Sequence, residues 1–219
     1  MDDLIFHEKF AGLAERVRLH FENAPNCHDF DHTLRVLRNA EMLASELPAA
    51  SLPVVRLAAL LHDIARAEEI AGKGRRKCHA ERGAEMAPGF LADFGLTQAT
   101  VEHVAAAVRT HRYRDNAEPA TLEAEIVYDA DKLDSLGAVG IGRSFLFAGR
   151  EGARLHNRAE VALAAPEYSR EDTAYREYLV KLSKLPDSMR TKPGKRVAAE
   201  RAKLMHDFFQ QLNMEAGGL

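Results

Sequence analysis

Cysteine is nearly absent from this chain. Cys27 and Cys78 are the only two in 219 residues, and no C-x-x-C spacing exists. That argues against a disulfide-stapled secreted fold, fits a reducing cytosol, and leaves both thiols to be read as reduced small hydrophobes. Long apolar runs are missing too. The longest covers residues 57–61, with Val54 and Val55 just before it, far short of the roughly 20 residues a membrane helix needs. The start, MDDLIFHEKF, is acidic and has neither the basic flank nor the apolar stretch of a signal peptide. Charge of one sign is not in excess: the formal net charge is -3 and the pI near 6.4, so the overall field attracts neither a nucleic-acid polymer nor an anionic membrane. A polyanionic substrate must therefore be met locally. We expect a cytoplasmic protein.

Strand patterns are also scarce, because alternating Val, Ile, Thr and aromatic residues give way to Ala, Leu, Glu and Arg. The chain reads as all-α. A first helix is predicted from about Leu4 to Phe21, with Phe6, Phe10, Leu13, Val17 and Phe21 on one stripe, and residues 23–26 break it at Pro25. A second, from about Phe30 to Leu47, puts His32 in line with Val36, Ala40, Leu43 and Leu47. The third starts at Ser51-Leu52-Pro53 and runs to about Ala67; it is apolar nearly all round and should be central. Further helices are expected over about 79–94, bending at Pro88-Gly89, and over 97–111 and 121–136. Glycines 137, 140 and 142 are expected to loosen the chain, and two helices to follow at about 170–185 and 197–212. A hydrophobic content of 46% can supply one core, so one domain is the working count.

The strongest chemical clue is His62-Asp63, at the end of Val-Val-Arg-Leu-Ala-Ala-Leu-Leu. An ionisable pair ending so apolar a helix costs several kcal/mol unless each member has a partner. A metal ion serves both, and imidazole with carboxylate suits Mn, Fe, Co, Ni, Zn or Mg better than soft copper. The plainer reading is a helix-capping histidine and an aspartate paired with Arg66. His206-Asp207, among charged residues in the last helix, is read that way, as surface. What separates His62-Asp63 from its copy is company: His32 on the preceding helix, and Asp129-Ala-Asp131-Lys-Leu-Asp134 on a later one, where Asp131 and Asp134 share a face.

Histidine, His-Asp and a downstream aspartate on three amphipathic helices resemble the HD superfamily of metal-dependent phosphohydrolases. The stretches 28–32, 35–40, 60–64, 129–137, 141–143 and 184–191 are similar to the small stand-alone bacterial members. The resemblance implies an HD-domain helical bundle over 1–219, with a metal-binding core at about 20–150 and an extension at about 151–219. It carries His32, His62, Asp63 and Asp131 over as metal ligands, and implies a phosphorylated small-molecule substrate, a nucleotide. A divalent ion in such a set lowers the pKa of water from 15.7 toward about 7. No serine or cysteine nucleophile is then required, and no G-x-S-x-G elbow is present.

Other residues stay open between roles. His79 and His111 could bind a second metal, as in some HD proteins, contact phosphate, or be structural. His28 could bind zinc with His32 or only cap the helix, and His103 reads as a packed histidine. The basic loop at 71–77 lacks the G-x-x-x-x-G-K-[ST] order of a phosphate-binding P-loop, so a solvated loop is the default; it could still fold over the site. Candidate phosphate contacts are Arg35, Lys73, His79, Lys132 and Arg143. Beside Asp63, the candidates for catalysis are His111, or a water polarised by Glu123 or Asp134, as general acid. A di-iron oxygenase using His79 and His111, and a non-catalytic nucleotide sensor, are the alternatives. The polar C-terminal helices could pack on the core or on a second copy in a homodimer.

Overall fold

A computed structural model describes residues 3–21, 30–71, 78–112 and 118–217. Cys27, His28 and the basic loop with Lys73 lie outside the described residues. Among the described residues there are eleven α-helices, two 3-10 segments and no strand. None of these helices is long and apolar enough to cross a membrane. The chain divides into two compact units, Met1–Asp131 and Lys132–Leu219.

The first unit holds α1 (Asp3–His20), α2 (Phe30–Ser45), α3 (Leu52–Leu61), α4 (Arg66–Ala71), α5 (His79–Leu91), α6 (Gln98–Arg109) and most of α7 (Leu122–Asp134). Helix α3 is the centre, as its all-round apolar surface requires. Val54, Val55 and every residue from Leu57 to Leu61 are buried, and α1, α2 and α6 pack against it. The stripe on α1 is buried at Phe6, Leu13, Val17 and Phe21, and that on α2 at His32, Val36, Ala40 and Leu43.

Helix α3 stops at Leu61, six residues before the predicted end. Beyond it the backbone tightens into shorter turns, with Ile64 N–H donating to Leu61 O (3.3 Å) and Arg66 N–H to Asp63 O (2.8 Å), before α4 restarts. Ending the helix there turns both His62 and Asp63 into the interior. His20, closing α1, holds the turn through Nε2, which donates to Ile64 O at 2.6 Å. Helix α5 passes over the same turn with glycine at position 83. A Cβ there would lie 3.3 Å from Val108 Cγ1 and 3.6 Å from His62 O. Proline 88 does not interrupt α5.

The second unit contains α8 (Gly137–Arg150), α9 (Ala159–Ala164), α10 (Ala174–Val180) and α11 (Lys192–Glu215). Glycines 137, 140 and 142 do not loosen the chain; they lie in α8. Gly137 takes a left-handed φ of 70°, and a Cβ on Gly140 would run into the Ser135 carbonyl. Glycine is demanded by the tight entry to the helix, which composition alone disguises as flexibility. Helix α11 starts earlier than predicted, because the Thr191 hydroxyl accepts from Gly194 N–H (3.0 Å) with Pro193 in the first turn. Short α9 was not predicted. Phe209 anchors α11, stacked on Tyr178 at 4.5 Å.

Candidate metal centre

Three elements of the first unit bring the key side chains together. Helix α2 supplies His32, the turn after α3 supplies His62 and Asp63, and α7 supplies Asp131. Asn39, on the same face of α2 as His32, donates through Nδ2 to Ala130 O at 3.1 Å, which ties α2 to α7 beside Asp131. His32 Nε2 lies 3.3 Å from His62 Nε2, 3.5 Å from Asp131 Oδ1 and 3.7 Å from Asp63 Oδ2. His62 Nε2 to Asp63 Oδ2 is 3.8 Å. His32, His62 and Asp63 are buried, whereas the Asp131 side chain keeps 23% exposure and opens the cluster to solvent.

The protonation pattern follows from the backbone. A carbonyl can only accept, so the 2.8 Å contact from His62 Nδ1 to Ala59 O places the proton on Nδ1 and leaves Nε2 a bare lone pair. Burial, opposed by the neighbouring Asp63 carboxylate, pushes the His62 pKa down from 6.5 to about 4, so the ring is neutral at physiological pH. That lone pair, His32 Nε2 and an Asp63 oxygen therefore converge on one small volume, with Asp131 beside His32.

A second group adjoins it. His79, opening α5, places Nε2 3.2 Å from Asp63 Oδ1 and 3.1 Å from His111 Nε2. His111, just beyond α6, has Nδ1 at 2.6 Å from Val108 O and Nε2 at 3.6 Å from Asp63 Oδ1. Asp63 thus faces one group with each oxygen, and both groups are compact enough to hold a cation.

Several expected residues have other work. Glu123 accepts from Ser51 N–H at 2.7 Å, at the N-terminus of α3, and its other oxygen lies 3.1 Å from His103 Nε2. The carboxylate expected as polariser of a catalytic water is thus placed as a helix cap and a partner for His103. Asp134 and Arg143, in the second unit, neutralise each other: Arg143 Nη1 donates to Asp134 Oδ2 at 2.7 Å and to its backbone carbonyl at 3.3 Å. That ion pair is where the structure places Asp134, expected as polariser of a catalytic water, and Arg143, expected as a phosphate contact. Lys132 is buried in α7, while Arg35 is half-buried one turn after His32. His206 and Asp207 lie at the surface, where Asp207 pairs with Lys203 at 2.6 Å. Arg66, considered as a partner for Asp63, reaches His79 Nδ1 at 3.0 Å. Nothing in its spacing signalled this, since the two residues meet only when α4 and α5 pack.

Glu123→Ala should cost about 0.5–2 kcal/mol of stability, the loss expected when a helix N-terminal cap is removed. Divalent-ion binding should stay intact. Chemical denaturation beside a metal titration checks both.

The HD domain family model matches residues 29–136. The chain is 31% identical over 196 residues to YpgQ of Bacillus subtilis (strain 168), an uncharacterized protein, with 88% of this chain and 86% of that one covered. A solved HD-superfamily hydrolase from Bacillus thuringiensis superposes with a TM-score of 0.74 at 27% identity, covering 98% of this chain and 100% of that one. The structure of Bacillus subtilis YpgQ in complex with ADP gives 0.70 at 26% identity, with 96% of each chain covered.

Proposed function

Since the chain belongs to the HD domain family, we propose that it is a metal-dependent phosphohydrolase that cleaves phosphoanhydride or phosphoester bonds of nucleotides. The observation that carries this reading is the buried convergence of His32, His62 and Asp63, with the half-buried Asp131 carboxylate 3.5 Å from His32 Nε2. An ion holding nitrogen and oxygen ligands at about 2.1 Å sets adjacent ligand atoms roughly 3.0–3.4 Å apart. The closest pairs here, at 3.3 and 3.5 Å, match such edges, and those at 3.7 and 3.8 Å need only small side-chain adjustment. The donor chemistry fits as well: two carboxylates balance a divalent charge, and neutral imidazole with carboxylate selects hard to borderline ions.

When bound, a divalent ion supplies a Lewis acid that polarises a phosphoryl oxygen and acidifies water. The chain's own residues prepare the place. Ala59 O fixes the His62 tautomer with its lone pair inward, an outer contact of the kind that orients metal-ligating histidines. The partial exposure of Asp131 marks the side from which substrate and water approach. The ADP bound by YpgQ supports a nucleotide substrate, and the locally acidic cluster explains why a polyanion needs a cation to dock here.

The test is a turnover assay of chelator-stripped protein against a panel of nucleoside mono-, di- and triphosphates with Mn, Mg, Co and Ni. Phosphate or pyrophosphate release should appear only with metal. Failure of every nucleotide and every ion to give turnover would sink the reading.

A further inference from the structure

The group formed by Asp63, His79 and His111 is compact enough for a second ion, yet its hydrogen bonding points the other way. A histidine that ligates a metal ordinarily gives its remote N–H to a carbonyl, carboxylate or water, which leaves the near nitrogen free to bind. His62 and His111 have that arrangement, through Ala59 O and Val108 O. His79 has the reverse. Its Nδ1 faces Arg66 Nη1 at 3.0 Å, and a guanidinium can only donate. Nδ1 must then be the acceptor, and the proton of the neutral ring sits on Nε2.

That Nε2–H is well placed without any second ion. It points at His111 Nε2, 3.1 Å away, whose lone pair is available because its Nδ1–H is committed to Val108 O. It also lies 3.2 Å from Asp63 Oδ1. We propose that Arg66, by donating to His79 Nδ1, holds His79 as a hydrogen-bond donor to Asp63 and His111, and so keeps this centre to a single divalent ion.

Two independent effects act together. For Nε2 to ligate a cation while Arg66 stays on Nδ1, the ring would have to lose both protons. The guanidinium also sits one imidazole away from where a second ion would lie, and like charges in a buried setting repel strongly. Arg66 is thus a positioning residue: it acts through His79 on Asp63, restraining Oδ1 and leaving Oδ2 to the ion shared with His32 and His62. This inference rests on the metal-centre reading above and adds to it the number of ions and the residue that sets it.

The test counts manganese. Chelator-stripped full-length protein is equilibrated with Mn, desalted, and measured by elemental analysis and electron paramagnetic resonance, for the wild type, Arg66→Met, His79→Ala and the double variant. Methionine keeps an apolar stem and removes every donor. With the cationic donor gone, the ligand chemistry of the group predicts a rise from about one ion per chain to about two, with an exchange-coupled signal. The double variant should return to the uncoupled wild-type count, and His79→Ala alone should not lower it. Two ions on the wild type, or a loss of one ion in His79→Ala, would overturn the proposal without help from the Arg66 variant. So would an Arg66→Met protein that keeps the wild-type circular dichroism and count. A wild type that binds no ion at all would bring down the metal-centre reading itself, an outcome distinct from the others.

Discussion

Asp63→Asn should bind no divalent ion tightly and lose at least about 10³-fold in kcat/KM on any nucleotide the wild type turns over, equivalent to about 4 kcal/mol of transition-state stabilisation. The substitution keeps the shape of the side chain and removes its charge. Asp63 is the side chain that faces both groups, with Oδ2 near His32 and His62 and Oδ1 near His79 and His111. A purely structural role makes the opposite prediction for stability. If Asp63 merely completed a packed polar cluster, the variant would be less stable than the wild type in chelator. If its charge is there for a cation, burying that charge costs the metal-free wild type more than burying a neutral amide costs the variant, which should be at least as stable. Adding ion should then separate them further. A ligand at a thousandfold excess over its Kd stabilises the folded state by about 4 kcal/mol, which the wild type gains and Asp63→Asn does not. Thermal melts with and without Mn read this directly, and a variant still stabilised by Mn as strongly as the wild type would remove Asp63 from the metal shell.

Acidification should destabilise the metal-free protein through His62. In the folded state its pKa is about 4, because burial opposes the charged ring; in the unfolded chain it returns to 6.5. Between those values the unfolded state binds more protons than the folded one. The contribution of this group is therefore intact above pH 6.5, falls as pH drops, and is lost once pH passes below about 4. The interval corresponds to about 3 kcal/mol. Urea denaturation in chelator at several pH values checks it, with His62→Asn as the reference. Carboxylates also titrate at the acid end, so the informative quantity is the difference between the two slopes. Equal pH dependence in both proteins would mean that His62 is not held neutral by its surroundings.

The interior helices were legible because their signal is local. A stripe such as Phe6, Leu13 and Val17 names its own buried face, and the unbroken apolar surface of α3 implies neighbours on all sides. The anomaly of His62-Asp63 was readable for the same reason: an imidazole and a carboxylate at the end of a greasy helix need partners wherever the chain goes next. Its copy at His206-Asp207 is exposed on α11, where Asp207 pairs with Lys203 and His206 lies 3.4 Å from the Tyr178 hydroxyl, so flanking hydrophobicity separates the two. The polar partners were less legible. Glu123 and Asp134 look alike in sequence, two acids on one predicted helix. One closes the N-terminus of α3 and the other pairs with Arg143, because each reaches a different stretch of chain.

The amino-acid sequence by itself determined the helical class, the centrality of α3 and the presence of a histidine–aspartate pair that could not be left alone, since periodicity and burial cost act over a few residues. Only the tertiary structure decided where α3 ends, that Gly137 and Gly140 build a helix, and which proton sits on which imidazole. Those outcomes depend on carbonyls and guanidinium groups brought up by packing. His79 and His111 stand 32 positions apart, and the group that orients His79 comes from a third helix.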